Sequence, residues 1–311
     1  MGERGINHDD EGWSDRARRD GRADGHESAP RGLSTGRLES NPLAGASPVS
    51  GDECGHGRES GELAAGVDLV LTSVSRDSDL EEVINALLPG VRPGGAVADT
   101  STVSADTARA MAAALKPKGA AFLDCPVSGG VEGALNGHLA MMVGGEETVL
   151  EHVRPALATL ATTIVHMGPS GSGQATKAVN QIMAAGINQA VTEALAFGES
   201  MGLDLAKVID VVSQGAAANW YLSHRGKTMV AGRFEPGFKV ALHHKDLAIC
   251  RAMGGPPLPI VDLTLENYQR LIDRGYGAED ISALYRTSAN NSERGNAPPA
   301  GAGAGRGSRG Q

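Results

Sequence analysis

The chain has 311 residues, a formal net charge of −9 and only 3% aromatic residues. This length allows about two domains. The acidic balance argues against a nucleic-acid partner, because binding along a phosphate backbone depends on clustered cations. No apolar run approaches the roughly 18 residues that a membrane span needs, and no secretory signal pattern is visible. We therefore expect a cytoplasmic protein without a membrane partner.

Two segments differ in composition from the rest of the chain. Residues 1–62 are rich in arginine, contain no lysine and are poor in apolar side chains, so we expect them to be atypical and without ordered structure. Residues 289–311 end in a run of Gly, Ala and Arg without periodicity, which predicts a disordered tail. The foldable body is therefore predicted to lie between these two segments.

Residues 63–170 alternate between strand-like and helix-like patterns. A helix with its cap at Ser78 is predicted after the first strand, and a second helix over 104–115 has Ser104 as its N-cap. The strand-like runs are 64–74, 95–99, 120–125, 139–143 and 163–166. Such alternation predicts an α/β parallel sheet, whose ligands bind beyond the carboxyl ends of the strands.

Residues 171–288 show only helical patterns, which predicts an all-α second domain. The helices are predicted over 175–202, 205–213, 222–230, 241–252 and 259–274. In the first of them, the apolar residues from Val179 and Met183 to Leu195 and Phe197 follow the three-and-four spacing of a buried face.

The first candidate site is Ser128-Gly129-Gly130, which follows a predicted strand. Adjacent glycines allow backbone N–H groups to approach a small anion, and the serine hydroxyl adds a donor for a carboxylate. A simple glycine-rich turn is the alternative interpretation.

The second candidate is the group Lys177, Asn180 and Gln181, which lie three and four residues apart and share one side of the predicted long helix. If that side is buried, the lysine has a depressed pKa and can act as a general acid or base. The alternative is a solvated lysine at the outer edge of the helix.

A third cluster contains His243, His244, Lys245 and Asp246. Adjacent histidines point in different directions on a helix, and the three cysteines have no zinc spacing, so we expect no metal. Trp220 and Tyr221 can line a pocket, although core packing is the more common role for such residues.

Four segments together resemble the β-hydroxyacid dehydrogenase family, which includes 3-hydroxyisobutyrate dehydrogenase and tartronate semialdehyde reductase and is related to 6-phosphogluconate dehydrogenase. In the order and spacing of that family, the segments are Asp124-Cys125-Pro126-Val127-Ser128-Gly129-Gly130, Gly171-Ser172-Gly173-Gln174-Ala175-Thr176-Lys177, Val179-Asn180-Gln181 and Lys245-Asp246-Leu247. The resemblance implies a Rossmann-like sheet domain followed by an all-α helical domain that forms a homo-oligomer, either a dimer or a tetramer. The domain boundaries expected on this basis are 63–170 and 171–288.

The resemblance also implies a role for each matching residue in hydride transfer between NAD or NADP and a small hydroxy acid. Lys177 would be the catalytic proton donor or acceptor. The substrate would be bound by Ser128, Gly129, Gly130, Asn180 and Gln181, and the Asn-Gln pair is similar to the tartronate semialdehyde reductase branch. The cofactor would be contacted by Val74, Ser75, Thr102 and Lys245.

The sequence departs from the family before Leu63. A dinucleotide site needs an apolar strand followed by Gly-x-Gly-x-x-Gly, and residues 1–62 contain neither. The first strand–helix–strand unit is therefore expected to be degraded or missing, and we hypothesise a reading-frame error in a GC-rich gene. If the chain is made as written, the alternative to an active enzyme is a catalytically impaired homologue that serves as a binding or oligomerisation protein.

Overall fold

The computed structural model describes residues 35–39 and 57–288. The strands are β1 (Thr35–Glu39), β2 (Leu69–Ser73), β3 (Ala96–Asp99), β4 (Ala121–Asp124), β5 (Val127–Ser128), β6 (Leu139–Gly144) and β7 (Ala161–Gly168). The helices are α1 (Gly57–Ala65), α2 (Asp77–Leu87), α3 (Ala105–Leu115), α4 (Gly130–Leu135), α5 (Glu147–Leu157), α6 (Ser172–Ser200), α7 (Leu205–Val212), α8 (Trp220–Val230), α9 (Val240–Ala252) and α10 (Pro259–Asp273). Short 3₁₀ segments cover Lys116–Lys118 and Ile281–Thr287.

The seven described strands form one mixed sheet. Strands β1, β2, β3 and β4 are parallel neighbours in that order, whereas β6 pairs antiparallel with β4 and β5 and parallel with β7. Successive side chains of a strand point to opposite faces. Val70 and Val97 accordingly join a core cluster with residues of α2 and α3, while Leu69 and Ala98 join a second cluster with residues of α5. The sheet is thus covered on both faces, as the sequence predicts for an α/β domain.

Two described elements lie within 1–62, where the sequence predicts no ordered structure. Strand β1 pairs with β2 over its whole length, from Thr35 opposite Leu69 to Glu39 opposite Ser73, and α1 begins at Gly57. The prediction is therefore wrong for 35–39 and 57–62, because strand pairing uses backbone groups that composition does not reveal. The rest of 1–62 and the predicted tail at 289–311 lie outside the described residues.

The N-cap prediction is confirmed for one helix and wrong for another. Ser104 precedes α3, and its side chain accepts a hydrogen bond from the backbone N–H of Thr107. Helix α2 instead begins at Asp77 and has no side-chain cap, and Ser78 lies inside its first turn. The carboxylate of Asp77 accepts hydrogen bonds from the Ser104 N–H and the Thr107 hydroxyl, so it supports the start of α3.

Helices α6 to α10 form the helical part around a core that includes Met229, Leu247 and Tyr268. The predicted buried face of α6 is wrong in part: Val191 and Leu195 are buried, whereas the exposed apolar residues on this helix are Val179, Met183, Ile187 and Phe197. The buried side of α6 carries many polar residues, namely Gln174, Lys177, Gln181, Asn188 and Thr192. Apolar periodicity predicted a helix correctly but did not show which of its sides packs against the protein. The reason is that the buried side carries hydrogen-bonding residues. No helix in the described ranges is long and apolar enough to cross a membrane.

Candidate active site

The N-terminus of α6 is held against the carboxyl ends of β4 and β6. The buried carboxylate of Asp124 accepts hydrogen bonds from the backbone N–H groups of Gly171 at 2.8 Å and Gln174 at 3.0 Å. Burial raises the pKa of Asp124, although these backbone donors oppose the shift. Gly173 is required here, because a Cβ atom would lie 2.5 Å from the carbonyl oxygens of Asp124 and Met142. This packing places the first turns of α6 beside β5.

Lys177 lies in the second turn of α6 and is only 8% exposed. Its ammonium Nζ donates a hydrogen bond to the carbonyl oxygen of Val127 at 2.8 Å, directly before Ser128. Desolvation lowers the pKa of Lys177, while the charge of Asp246 opposes this shift and that of Lys245 adds to it. The structure therefore has a buried lysine where the alternative interpretation expected a solvated one.

The side chains predicted to bind substrate form a chain of hydrogen bonds. The Ser128 hydroxyl donates to Asn180 Oδ1 at 3.2 Å, and Asn180 Nδ2 donates to Gln181 Oε1 at 2.8 Å. Gln181 Nε2 then donates to Asp246 Oδ2 at 2.6 Å. Ser128 on β5 is thereby connected to α6 and α9.

Gly129 and Gly130 are exposed and form the turn from β5 into α4, with Gly130 as the first residue of the helix. Their φ angles are 133° and 62°, which other residues rarely adopt. The turn brings an exposed stretch of backbone next to Ser128.

Lys245 connects α9 to the turn after β3. Its ammonium donates a hydrogen bond to the carbonyl oxygen of Thr102 and forms an ion pair with Asp246 Oδ1 at 2.9 Å. Two of the predicted cofactor residues, Lys245 and Thr102, are therefore in contact. Gln174 supports the same turn, because its side-chain amide bonds the Ser101 carbonyl oxygen at 2.8 Å and the Val103 N–H at 3.3 Å.

Val74 and Ser75 follow β2 and are half-buried. The Val74 N–H donates to the Ser101 hydroxyl at 2.7 Å, and that hydroxyl donates to Asp99 Oδ1 at 2.7 Å. Asp99 is fully buried, and desolvation raises its pKa to about 6. The turns after β2 and β3 are thus fixed to one another at the carboxyl edge of the sheet.

Four residues of this region were not assigned a role by the sequence analysis: Asp99, Asp124, Gln174 and Asp246. Three of them lie inside the quoted family segments, so their positions were visible although their contacts were not. Only the fold shows that they join segments far apart in the chain.

The remaining candidates have separate surroundings. His243 is buried between Tyr268 and the carbonyl oxygen of Gln181, whereas His244 is half-buried, and no group of three or more metal-ligating side chains occurs within 57–288 or 35–39. Tyr221 is buried in the helical core, while Trp220 is 56% exposed and stacks on His224.

Comparison with known proteins gives the class to which this fold and site belong. Residues 46–168 match the NAD-binding domain model of 6-phosphogluconate dehydrogenase, and residues 171–288 match the NAD-binding model of NADP-dependent 3-hydroxyisobutyrate dehydrogenase. The fold and site thus define an oxidoreductase with a Rossmann-like sheet domain and a helical C-terminal domain.

Individual relatives agree with this class. An uncharacterised oxidoreductase of Shewanella frigidimarina is 40% identical over 72% of this chain and 79% of its own. The 2-hydroxy-3-oxopropionate reductase of Escherichia coli is 37% identical over 58% of this chain and 63% of its own. The structure of 3-hydroxyisobutyrate dehydrogenase from Mycobacterium tuberculosis with L-serine has a TM-score of 0.66 and 31% identity, covering 73% of this chain and 81% of that one. The chain belongs to the β-hydroxyacid dehydrogenase family of NAD(P)-dependent oxidoreductases.

The residues expected to contact the cofactor lie at the carboxyl edge of the sheet. The Val74 N–H donates to the Ser101 hydroxyl and the Lys245 ammonium donates to the Thr102 carbonyl oxygen, so both groups are paired within the protein. In the described ranges, no strand is followed by Gly-x-Gly-x-x-Gly to approach the pyrophosphate. The sequence from β1 into the first turn of α1 also lacks this motif: Gly55 and Gly57 have the first spacing, but Ser60 stands where the third glycine is needed.

Proposed function

We propose that this protein interconverts a small 3-hydroxy acid and the corresponding 3-oxo acid. The observation that carries the proposal is the buried ammonium of Lys177, 2.8 Å from the Val127 carbonyl oxygen and adjacent to the Ser128-Gly129-Gly130 turn. The bound nicotinamide would supply or accept the hydride.

Lys177 would act as the general acid in reduction and as the general base in oxidation. In the reductive direction Nζ gives a proton to the oxygen of the former carbonyl group as its carbon gains the hydride. In the oxidative direction Nζ takes the hydroxyl proton as the C–H bond breaks. Desolvation lowers the pKa of Lys177, which favours proton release from its ammonium in the reductive direction.

The polar groups around Lys177 favour an acceptor-rich ligand. Lys177 has three N–H donors, of which one is used by Val127, and the half-buried Asn180 adds an N–H beyond the one given to Gln181. The exposed Gly129–Gly130 backbone lies beside them. A carboxylate together with a hydroxyl or carbonyl oxygen matches these donors, which supports a small hydroxy acid.

The substrate we favour is tartronate semialdehyde, with 3-hydroxyisobutyrate as the related candidate. Support comes from the resemblance of the Asn180-Gln181 pair to the tartronate semialdehyde reductase branch. The carboxylate would lie at Ser128, Gly129 and Gly130, and Asn180 and Gln181 would complete the pocket. NAD and NADP are both proposed as cofactors, contacted by Val74, Ser75, Thr102 and Lys245.

Turnover assays with Lys177 variants test this function. Both substrate pairs are assayed at millimolar NADH, NADPH, NAD and NADP with wild type and Lys177→Ala. Loss of a positioned general acid or base lowers rates by about 10² to 10⁴, so we expect at least a hundredfold fall in kcat. The matched control is Lys207→Ala, whose side chain is 85% exposed. Equal kcat for wild type and Lys177→Ala would contradict the assigned role.

A second candidate function is a non-catalytic binding or oligomerisation protein. It is favoured by the missing Gly-x-Gly-x-x-Gly in residues 1–62 and by exposed apolar side chains on α6 and α10, including Met183, Ile187 and Ile260. We propose that the helical domain forms a homo-oligomer through this side. Light scattering measures the oligomeric state, and an oligomer without turnover of either substrate would select this second function.

A further inference from the structure

The hydrogen-bond chain through Ser128, Asn180 and Gln181 has a single direction. Each side chain donates to the next, and the last donor, Gln181 Nε2, meets Asp246 Oδ2 at 2.6 Å. An ionised carboxylate can only accept hydrogen bonds. Gln181 must therefore turn its NH₂ group toward Asp246 and its Oε1 toward Asn180. Asn180 must in turn present Oδ1 to the Ser128 hydroxyl.

Asp246 is the last acceptor in this series of hydrogen bonds, and its own position is fixed by its surroundings. It is only 3% exposed, and its other oxygen, Oδ1, pairs with the Lys245 ammonium at 2.9 Å. A buried carboxylate is tolerated when its oxygens are paired in this way. Because Lys245 also bonds the Thr102 carbonyl oxygen, the end of the chain is fixed to the turn after β3.

We propose that Asp246 is a positioning residue that sets the direction of this chain and thereby makes the pocket prefer a carboxylate over a neutral amide. Because Asn180 Oδ1 accepts from the Ser128 hydroxyl and one Nδ2 N–H donates to Gln181, Asn180 has a second N–H that can reach a ligand. If the donor–acceptor direction of these hydrogen bonds were reversed, the side-chain amide of Asn180 would be flipped. An oxygen lone pair would then face the ligand instead of this N–H. Such an oxygen repels a carboxylate and accepts from an amide NH₂.

Asp246→Asn tests the direction directly, because an asparagine can donate as well as accept and so permits reversal. The matched control is Asp262→Asn, which removes the same charge from an exposed carboxylate on α10 paired with Arg251. Asp246→Glu keeps a carboxylate and should recover the preference for the acid relative to Asp246→Asn. Gln181→Met removes the hydrogen bonds that connect Asn180 to Asp246 while Asp246 and Lys245 stay in the sequence, and it serves if Asp246→Asn fails to fold.

The first readout needs no ligand. The side-chain NH₂ signals of Asn180 and Gln181 are followed by nitrogen–proton NMR in the full chain. We expect both signals to shift and to exchange faster with solvent in Asp246→Asn, and neither to change in Asp262→Asn. Asn180 hydrogen-bonds Gln181, and Gln181 in turn hydrogen-bonds Asp246, so the response of Asn180 reports transmission through Gln181. Unchanged Asn180 signals in Asp246→Asn would overturn the inference, and if that variant does not fold, an undiminished preference for the acid in Gln181→Met would do so.

The second readout measures selectivity and rests on the proposed function for the choice of ligand. Calorimetry compares 3-hydroxypropanoate with 3-hydroxypropanamide for each protein. We expect wild type and Asp246→Glu to prefer the acid, and Asp246→Asn to lose at least tenfold of this preference. A purely structural effect would weaken both ligands equally and would contradict the proposal. If wild type binds neither ligand, the proposed function fails, while the NMR signals still decide the role of Asp246.

Discussion

Single buried side chains fix the chemistry of this protein, and His243 is the clearest case away from the substrate pocket. Its Nε2 lies 3.2 Å from the Gln181 carbonyl oxygen, which can only accept, so this nitrogen carries the proton. Nδ1 is then left to accept from the Tyr268 hydroxyl at 3.1 Å. Asn188 Nδ2 donates to that hydroxyl at 3.0 Å, so the neutral ring completes a buried network across α6, α9 and α10.

This network predicts a pH-dependent stability. Burial lowers the pKa of His243 to about 4, below the unfolded value of about 6.5. The stabilisation is complete above pH 6.5 and is lost as the pH falls toward 4, because the unfolded chain then binds the extra proton. Between pH 7.5 and pH 4.5 we expect the free energy of unfolding to fall by about 2 kcal/mol more in wild type than in His243→Gln. Urea titrations measure the difference, with the exposed His138→Gln as control; parallel pH profiles for wild type and His243→Gln would contradict it.

Helix α6 is the element on which the site depends. It brings Lys177, Asn180 and Gln181 to β5 and α9, and its first turn is pressed against the sheet at Gly173. The position of the helix relative to β4 and β6 therefore determines whether Lys177 reaches Val127.

Two glycines of α6 give a matched test. In Gly173→Ala the new Cβ would lie 2.5 Å from two backbone oxygens, so the helix must shift. We expect a loss of about 1 to 3 kcal/mol of stability and reduced turnover. In Gly186→Ala the nearest atom is 3.8 Å away, and the higher helix propensity of alanine should raise stability by about 0.5 to 1 kcal/mol. Thermal unfolding of both variants measures the contrast, and similar melting temperatures would show that the close contact at Gly173 is not a constraint.

The whole molecule combines a complete helical part with a sheet whose N-terminal region departs from the family. The match to the sheet-domain family model begins at residue 46, so most of 1–62 lies outside it. In the described sheet β1 stands beside β2, and the sequence that follows it, residues 40–62, contains no Gly-x-Gly-x-x-Gly. The sequence therefore lacks the motif that approaches the pyrophosphate half of the cofactor.

We accordingly expect weak binding of NADH and NADPH by the chain as written. Without backbone N–H groups close to the pyrophosphate, the cofactor would keep only the contacts proposed at Val74, Ser75, Thr102 and Lys245. Fluorescence titration of each cofactor should show no saturation in the micromolar range. Micromolar affinity would contradict this prediction, and resequencing of the gene tests whether a shifted frame restores the motif.

The sequence by itself determined the fold class, the order of most elements and the positions of Lys177, Ser128 and Lys245, because these depend on local periodicity and on short segments. Only the tertiary structure decided that α6 buries its polar side and that Asp124 binds the backbone at the start of this helix. It also decided that Asp246 is the last acceptor in the series of hydrogen bonds that begins at Ser128. It also showed β1 and the start of α1 within a segment whose composition predicted none. The physical reason is common to these cases: hydrogen bonds between distant segments depend on which surfaces meet, and local sequence patterns do not contain that information.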